Sequence, residues 1–262
     1  MLRSAIPVKV ATKLFLPFIA SLFLTVTSYS QDNQQSNTPK TFVFVHGAWG
    51  GGWDYKQMES LLEAAGHRVY RTTLTGLGEK VHLANPQVNL ETHIQDVVNV
   101  LKFEDLTGIV LVGHSYGGMV ITGVAHRVPE RISRLVYVDA MLPLDGESVF
   151  DLMGEQGREF FLNLANTQGE GWKIPPFWPD PGKDVPQPLA AFREPITLGN
   201  PLAEKLPATY VLTLEPGAVS DDFSRYAERA KQRGWKYHEL RTGHNPQRTM
   251  PKEYAAILMM DE

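Results

Sequence analysis

The sequence predicts an α/β fold, a mostly parallel, doubly wound sheet with one segment inserted late in the order. Three observations carry this. Short β-branched runs alternate with amphipathic stretches of helical period from Thr41 onward, and strands separated by helices pair in parallel. One run, "IVLVG" at 109–113, has no polar alternation, as a strand covered on both faces requires. The alternation stops once, over residues 141–206, and then resumes.

The elements follow in order. "TFVFVHG" from Thr41 reads as a strand. "DYKQMESLLEAAGH" reads as an amphipathic helix ending at Gly66, and "RVYRTTL" as a second strand. "NLETHIQDVVNVLKFE" places Ile94, Val97, Val98 and Leu101 on one helical face. "GIVLVG" is the third strand, and "YGGMVITGVAHRV" is a helix with Met119, Val120, Val124 and Val128 inward. "RLVYVDA" is the fourth strand. Residues 141–206 then bring Gly and Pro together with Phe150, Phe160, Phe161, Trp172, Phe177, Trp178 and Phe192. So apolar a stretch is expected to fold over the sheet's C-terminal edge as a lid. "ATYVLTLE", "SDDFSRYAERAKQRG", "KYHELRT" and a helix from about Pro251 complete the order. The folded domain is thus expected over 41–262.

The bulk numbers narrow the function. The chain has 262 residues, a net charge of -4 and no cysteine. It has no basic footprint for nucleic acid, no thiolate metal site and no cysteine nucleophile. Its first thirty residues read as an export signal. Arg3, Lys9 and Lys13 precede an apolar run from Leu14 to Thr27, and small Ser28 and Ser30 suit a peptidase, so cleavage is expected near Ser30. Residues 31–40 read as a polar linker. The expected location is periplasmic or secreted, with no membrane association once the signal is removed.

The chemistry centres on "GHSYG", Gly113 to Gly117. A G-x-S-x-G match is weak alone. Between a buried strand and a helix it becomes a sharp turn that exposes Ser115, with glycines where side chains would collide. Serine needs a base. Of eight histidines, His244 in "RTGHNP" follows a strand at the same sheet edge. His238 falls mid-strand, and His67, His93 and His126 are expected on helices in surface or core roles. His114 is expected to point off the opposite side of the turn. Attack on a carbonyl also needs N–H donors for the developing oxyanion. The backbone N–H of Tyr116 is one, and that of Ala48 in "HGAWGGGW" is the second.

The stretches "FVFVHGAWGGGWDY", "LLEAAGHRVY", "GHSYGG" and "TGH" resemble the α/β-hydrolase superfamily, in the branch of plant methylesterases, hydroxynitrile lyases and their bacterial relatives. The resemblance implies a Ser–His–acid triad, an oxyanion hole at Ala48 and Tyr116, a mobile lid and no cofactor. Ser115 argues against dehalogenases and epoxide hydrolases, which place aspartate there. The lyases carry Thr where this chain has Gly47, and Lys where it has Asn245. Both differences favour ester hydrolysis over the lyase reaction. Ligand binding without catalysis on the same fold stays open as the alternative, since such proteins can keep a complete triad, and the export signal argues against it. The plant relatives place their acid in the loop that here reads "YVLTLEPGAVSDDF", but Pro216 stands at that position. Asp139, at the end of "RLVYVDA", is therefore the expected acid, with Glu215 as its rival and Asp221 and Asp222 opening the next helix. A small ester with an apolar or aromatic group is the expected substrate.

Overall fold

The computed structural model describes residues 38–178 and 182–260. The export segment expected over 1–30, and the linker up to residue 37, lie outside them. No helix among the described residues is long and apolar enough to cross a membrane.

The elements run β1 (Thr41–Val45), α1 (Lys56–Ala64), β2 (Arg68–Thr72), α2 (Leu90–Phe103), β3 (Ile109–His114), α3 (Gly117–Arg127) and β4 (Ile132–Val138). The inserted stretch carries α4 (Val149–Gln168), β5 (Lys173–Ile174), β6 (Gln187–Pro188) and α5 (Ala190–Arg193). Then follow β7 (Ala208–Thr213), α6 (Ser224–Gln232), β8 (Lys236–Leu240), α7 (Pro246–Thr249) and α8 (Pro251–Met259). Six strands form one parallel sheet in the order β2-β1-β3-β4-β7-β8. The chain winds outward in both directions from β1 and β3. Between their C-terminal ends lies the crevice where such sheets place ligands.

Period-2 alternation divides the core into two layers. Phe42 and Phe44 of β1 pack with Met58 and Leu62 of α1 and with Tyr254 and Leu258 of α8. Val43 and Val45 turn to the opposite face, against α2, α3 and the inserted stretch. Each fully buried side chain of this size contributes about 1.5–3 kcal/mol. Every residue of β3 is buried, so the strand bearing the G-x-S-x-G turn has no soft side.

Two expectations need correction, and the inserted stretch adds a feature of its own. The first helix begins at Lys56, because residues 52–55 form a tighter 3-10 turn whose Asp54 carboxylate bonds Gln247 and Arg248 instead of opening an α-helix. His67 lies between α1 and β2, where it accepts the backbone N–H of Lys40, and is not on a helix. Within α4, Gly154 takes a φ of 72°, so two helical pieces meet at a break that glycine permits.

Candidate active site

Ser115 sits at the turn from β3 to α3 with a φ of 55°, in the left-handed region. Holding a non-glycine residue there costs about 1–3 kcal/mol, which the surroundings must offset. They do so from both flanks. The Ser115 N–H donates to Val138 O at 3.3 Å, and the Met141 N–H donates to Ser115 O at 3.0 Å. A Cβ on Gly113 would stand 2.7 Å from Gly117 O, and one on Gly117 would stand 2.6 Å from Val45 O. The crowding that the sequence implied at both glycines is therefore present.

β4 lies beside β3 in parallel register, with His114 opposite Val138. Asp139 thus emerges next to Ser115, also with a positive φ, of 44°. Its side chain is 1% exposed. A buried carboxylate is costly unless hydrogen-bonded, and this one is. Its Oδ1 accepts the Thr213 N–H at 3.1 Å, and its Oδ2 accepts His244 Nδ1–H at 2.6 Å. With the proton on Nδ1, the His244 Nε2 carries the lone pair that a base needs. Glu215 is exposed and lies against Gly243, where an added Cβ would meet its Oε1 at 2.7 Å. Asp221 accepts from the N–H groups of Phe223 and Ser224, both at 2.9 Å, in the turn that leads into α6, and of the two aspartates expected to open that helix it is the one whose carboxylate makes such bonds.

His114 does not point away from the site. Its Nε2–H donates to the His244 carbonyl at 2.7 Å, and the two rings lie 4.6 Å apart. Burial, with the charge of His244 next, pushes its pKa well below the ordinary value, so it serves as a neutral donor. Phe223 also stacks on His244, at 4.7 Å and 25°. Nothing in the sequence pointed to either contact, since each joins residues distant in the chain.

Ala48 and Tyr116 line the same cavity as Ser115 and His244. Among the described residues, neither backbone N–H donates to another group of the chain. The cavity holds about 400 Å³. Its walls are Trp49, Met141, Met153, Phe161, Phe177, Trp178, Phe192 and Phe223, with Asp54, Asp184 and Arg248 as the polar part. Trp49 is the hub, with ring centroids 5.2–5.9 Å from Trp178, Phe177, Phe161 and Phe192. Its indole N–H donates to Ile174 O at 2.8 Å. Burial raises the Asp184 pKa, with nearby Asp54 adding to the rise. A larger cavity, of about 640 Å³, is lined by residues such as His126, Tyr137, Arg233 and Trp235 and contains none of the groups above. Chemistry, not size, identifies the site.

Ser115, His244, Asp139, Ala48 and Tyr116 are thus brought to one sheet edge. The arrangement can hold a carbonyl between a hydroxyl and two N–H donors. The chain is similar to known proteins in sequence and in fold. The chain matches the alpha/beta hydrolase family over residues 42–257. It is 37% identical over 238 residues to a carbendazim hydrolyzing esterase of Nocardioides sp. (strain SG-4G), covering 83% of this chain and 97% of that protein. It is 30% identical over 220 residues to a putative chloroplastic methylesterase 14 of Arabidopsis thaliana, covering 73% of this chain and 63% of that one. Among solved structures, an extracellular alpha/beta-hydrolase from a Paenibacillus species superposes with a TM-score of 0.74 at 28% identity, covering 84% of this chain and 98% of that one. The chain belongs to the alpha/beta hydrolase family, among its methylesterases and bacterial esterases.

Proposed function

We propose that this chain is a serine carboxylesterase for small esters with an apolar or aromatic group. The observation that carries the reading is the Asp139–His244 pair facing the cavity that Ser115 lines. His244 Nε2 takes the Ser115 proton as Oγ attacks the ester carbonyl. The oxyanion so formed is held by the N–H groups of Ala48 and Tyr116. Collapse breaks the bond to the alcohol, which leaves with the proton from His244. Water, deprotonated by the same imidazole, then releases the acid and restores Ser115. Asp139 fixes the tautomer throughout and stabilises the imidazolium. The inserted stretch acts as the lid, and its aromatics set the preference for an apolar group. The esterase names of the relatives support the reaction class. The reading includes export to the periplasm or beyond, with cleavage near Ser30.

The test is turnover of p-nitrophenyl acetate by the parent and by Ser115→Ala, with paraoxon labelling followed by peptide mass spectrometry. Ser115→Ala should lose at least ~10³-fold in kcat with little change in melting, since the triad acts as a unit. A paraoxon adduct on any residue but Ser115, or retained turnover in the variant, overturns the mechanism. Absence of turnover on a broad ester panel would leave a ligand-binding role in its place.

A further inference from the structure

Two buried histidines outside the triad converge on one short stretch after β2. His46 Nδ1 contacts Gly47 O at 2.7 Å, and its Nε2 contacts the Leu74 N–H at 3.1 Å. A carbonyl only accepts and an N–H only donates, so the ring carries its proton on Nδ1. His93 Nε2 contacts Thr75 O at 3.0 Å, and its Nδ1 contacts Tyr116 Oη at 2.8 Å. The same logic puts this proton on Nε2 and makes the Tyr116 hydroxyl the donor. Burial holds both rings neutral, His46 near about 4 and His93 near about 3.

The partners at the far ends matter. In a trans peptide the C=O and N–H point opposite ways, and there is no cis bond among the described residues. Fixing Gly47 O on His46 therefore aims the Ala48 N–H the other way. Ser115 lies close by, since a Cβ built on Gly47 would stand 3.0 Å from the Ser115 Cβ, and Ala48 and Ser115 line one cavity. His93 holds the side chain of Tyr116, the residue directly after the nucleophile. The stretch they share is itself gripped from α2. Asp96, one turn beyond His93, accepts the Thr75 N–H at 2.6 Å and its hydroxyl at 2.8 Å.

We propose that Leu74 and Thr75 form a common anchor for the two halves of the oxyanion hole, with His46 and His93 as positioning residues that tie Ala48 and Tyr116 to it. The anchor rests on the serine mechanism above and adds to it a reason for the spacing of the two donors. They sit on separate loops, after β1 and after β3. A shared tie through β2 and α2 holds them at one separation while substrate charge develops.

Three variants test this. Tyr116→Phe deletes one hydroxyl and leaves the backbone donor. His46→Gln reaches toward Leu74 but cannot clamp Gly47 O from the Nδ1 position. His46→Asn places an N–H where Nδ1 stands. The readouts are kcat/KM for p-nitrophenyl acetate and Ki for phenylboronic acid, whose serine adduct fills the oxyanion hole. Ki for benzyl alcohol, which forms no adduct, is the control. Loss of one oxyanion donor costs ~10²–10³-fold, so misalignment should cost roughly tenfold in Tyr116→Phe and roughly a hundredfold in His46→Gln. Phenylboronic acid should weaken in step, benzyl alcohol should stay within twofold, and His46→Asn should recover most of the loss. If Tyr116→Phe keeps both kcat/KM and phenylboronic acid affinity within twofold, the anchor is overturned, whatever its melting temperature. Turnover retained in Ser115→Ala would instead sink the serine mechanism, and the anchor with it.

Discussion

The floor and the wall of the cavity are built on different physics. The floor is a set of directed bonds. The Asp139 carboxylate is held by Thr213 and His244, His244 is held through Nδ1 and its carbonyl, and Ser115 is tied to Val138 and Met141. Each group there has one geometry that satisfies it. The wall is a cluster of rings in mostly edge-to-face contact around Trp49, and it includes Phe177, which is half exposed. Ring packing constrains size and polarity and tolerates many shapes. On the proposed serine mechanism, reaction type is therefore set by the floor, and substrate choice by the wall.

That contrast can be broken most sharply at the acid. Asp139→Asn should lower kcat by ~10³–10⁴, because an amide cannot hold the productive tautomer of His244. Glu215→Gln should stay within twofold. The comparison of kcat values checks both, and the opposite outcome would move the acid to the usual loop. A smaller effect is expected from acid. The His46 and His93 values, about 4 and about 3, lie below the ordinary 6.5. As pH falls, the unfolded chain takes up these protons first. Stability should be full above pH 6.5 and fall by about 1.4 kcal/mol per unit for each histidine down to about 4. Urea unfolding at pH 7, 5.5 and 4.5 reads this, and a flat midpoint would show that neither ring is kept neutral. The smallest effect belongs to the wall. Phe177→Ala should raise KM about three- to tenfold for a phenyl ester and leave an ethyl ester within twofold, with kcat little changed. Equal losses on both esters would mean that this ring supports the floor.

What was legible in the sequence follows the same division. Ser115 and His244 stand at strand ends with glycine beside them, and such junctions show in a local pattern. Asp139 was legible because a lone carboxylate closing an apolar strand needs a partner. The supports were hidden. His93 falls on the apolar face of an amphipathic helix, where it reads as core, and core it is. Its bond to Tyr116 spans 23 positions, and no periodicity reports it. The placement of His114 failed for a related reason. Its bond is to the backbone carbonyl of His244, 130 positions away, and a carbonyl leaves no residue-type signal. Phe223 stacks on His244 from the start of α6, a contact that only the folded loop creates.

The position of Asp139 at the end of β4 has one more consequence. The stretch from the end of β7 to the start of α6 carries the Thr213 N–H to Asp139 at one end and the Phe223 ring on His244 at the other, and in its middle Ala218 O accepts from Arg241 at 2.7 Å. Between them the chain stands in solvent, and Val219 is 93% exposed. Such a stretch tolerates added length at little cost in closure entropy, about 0.6 kcal/mol for each doubling. The molecule thus carries, within a few residues of its reaction centre, a tip that evolution or an engineer can lengthen, graft or label without touching the chemistry.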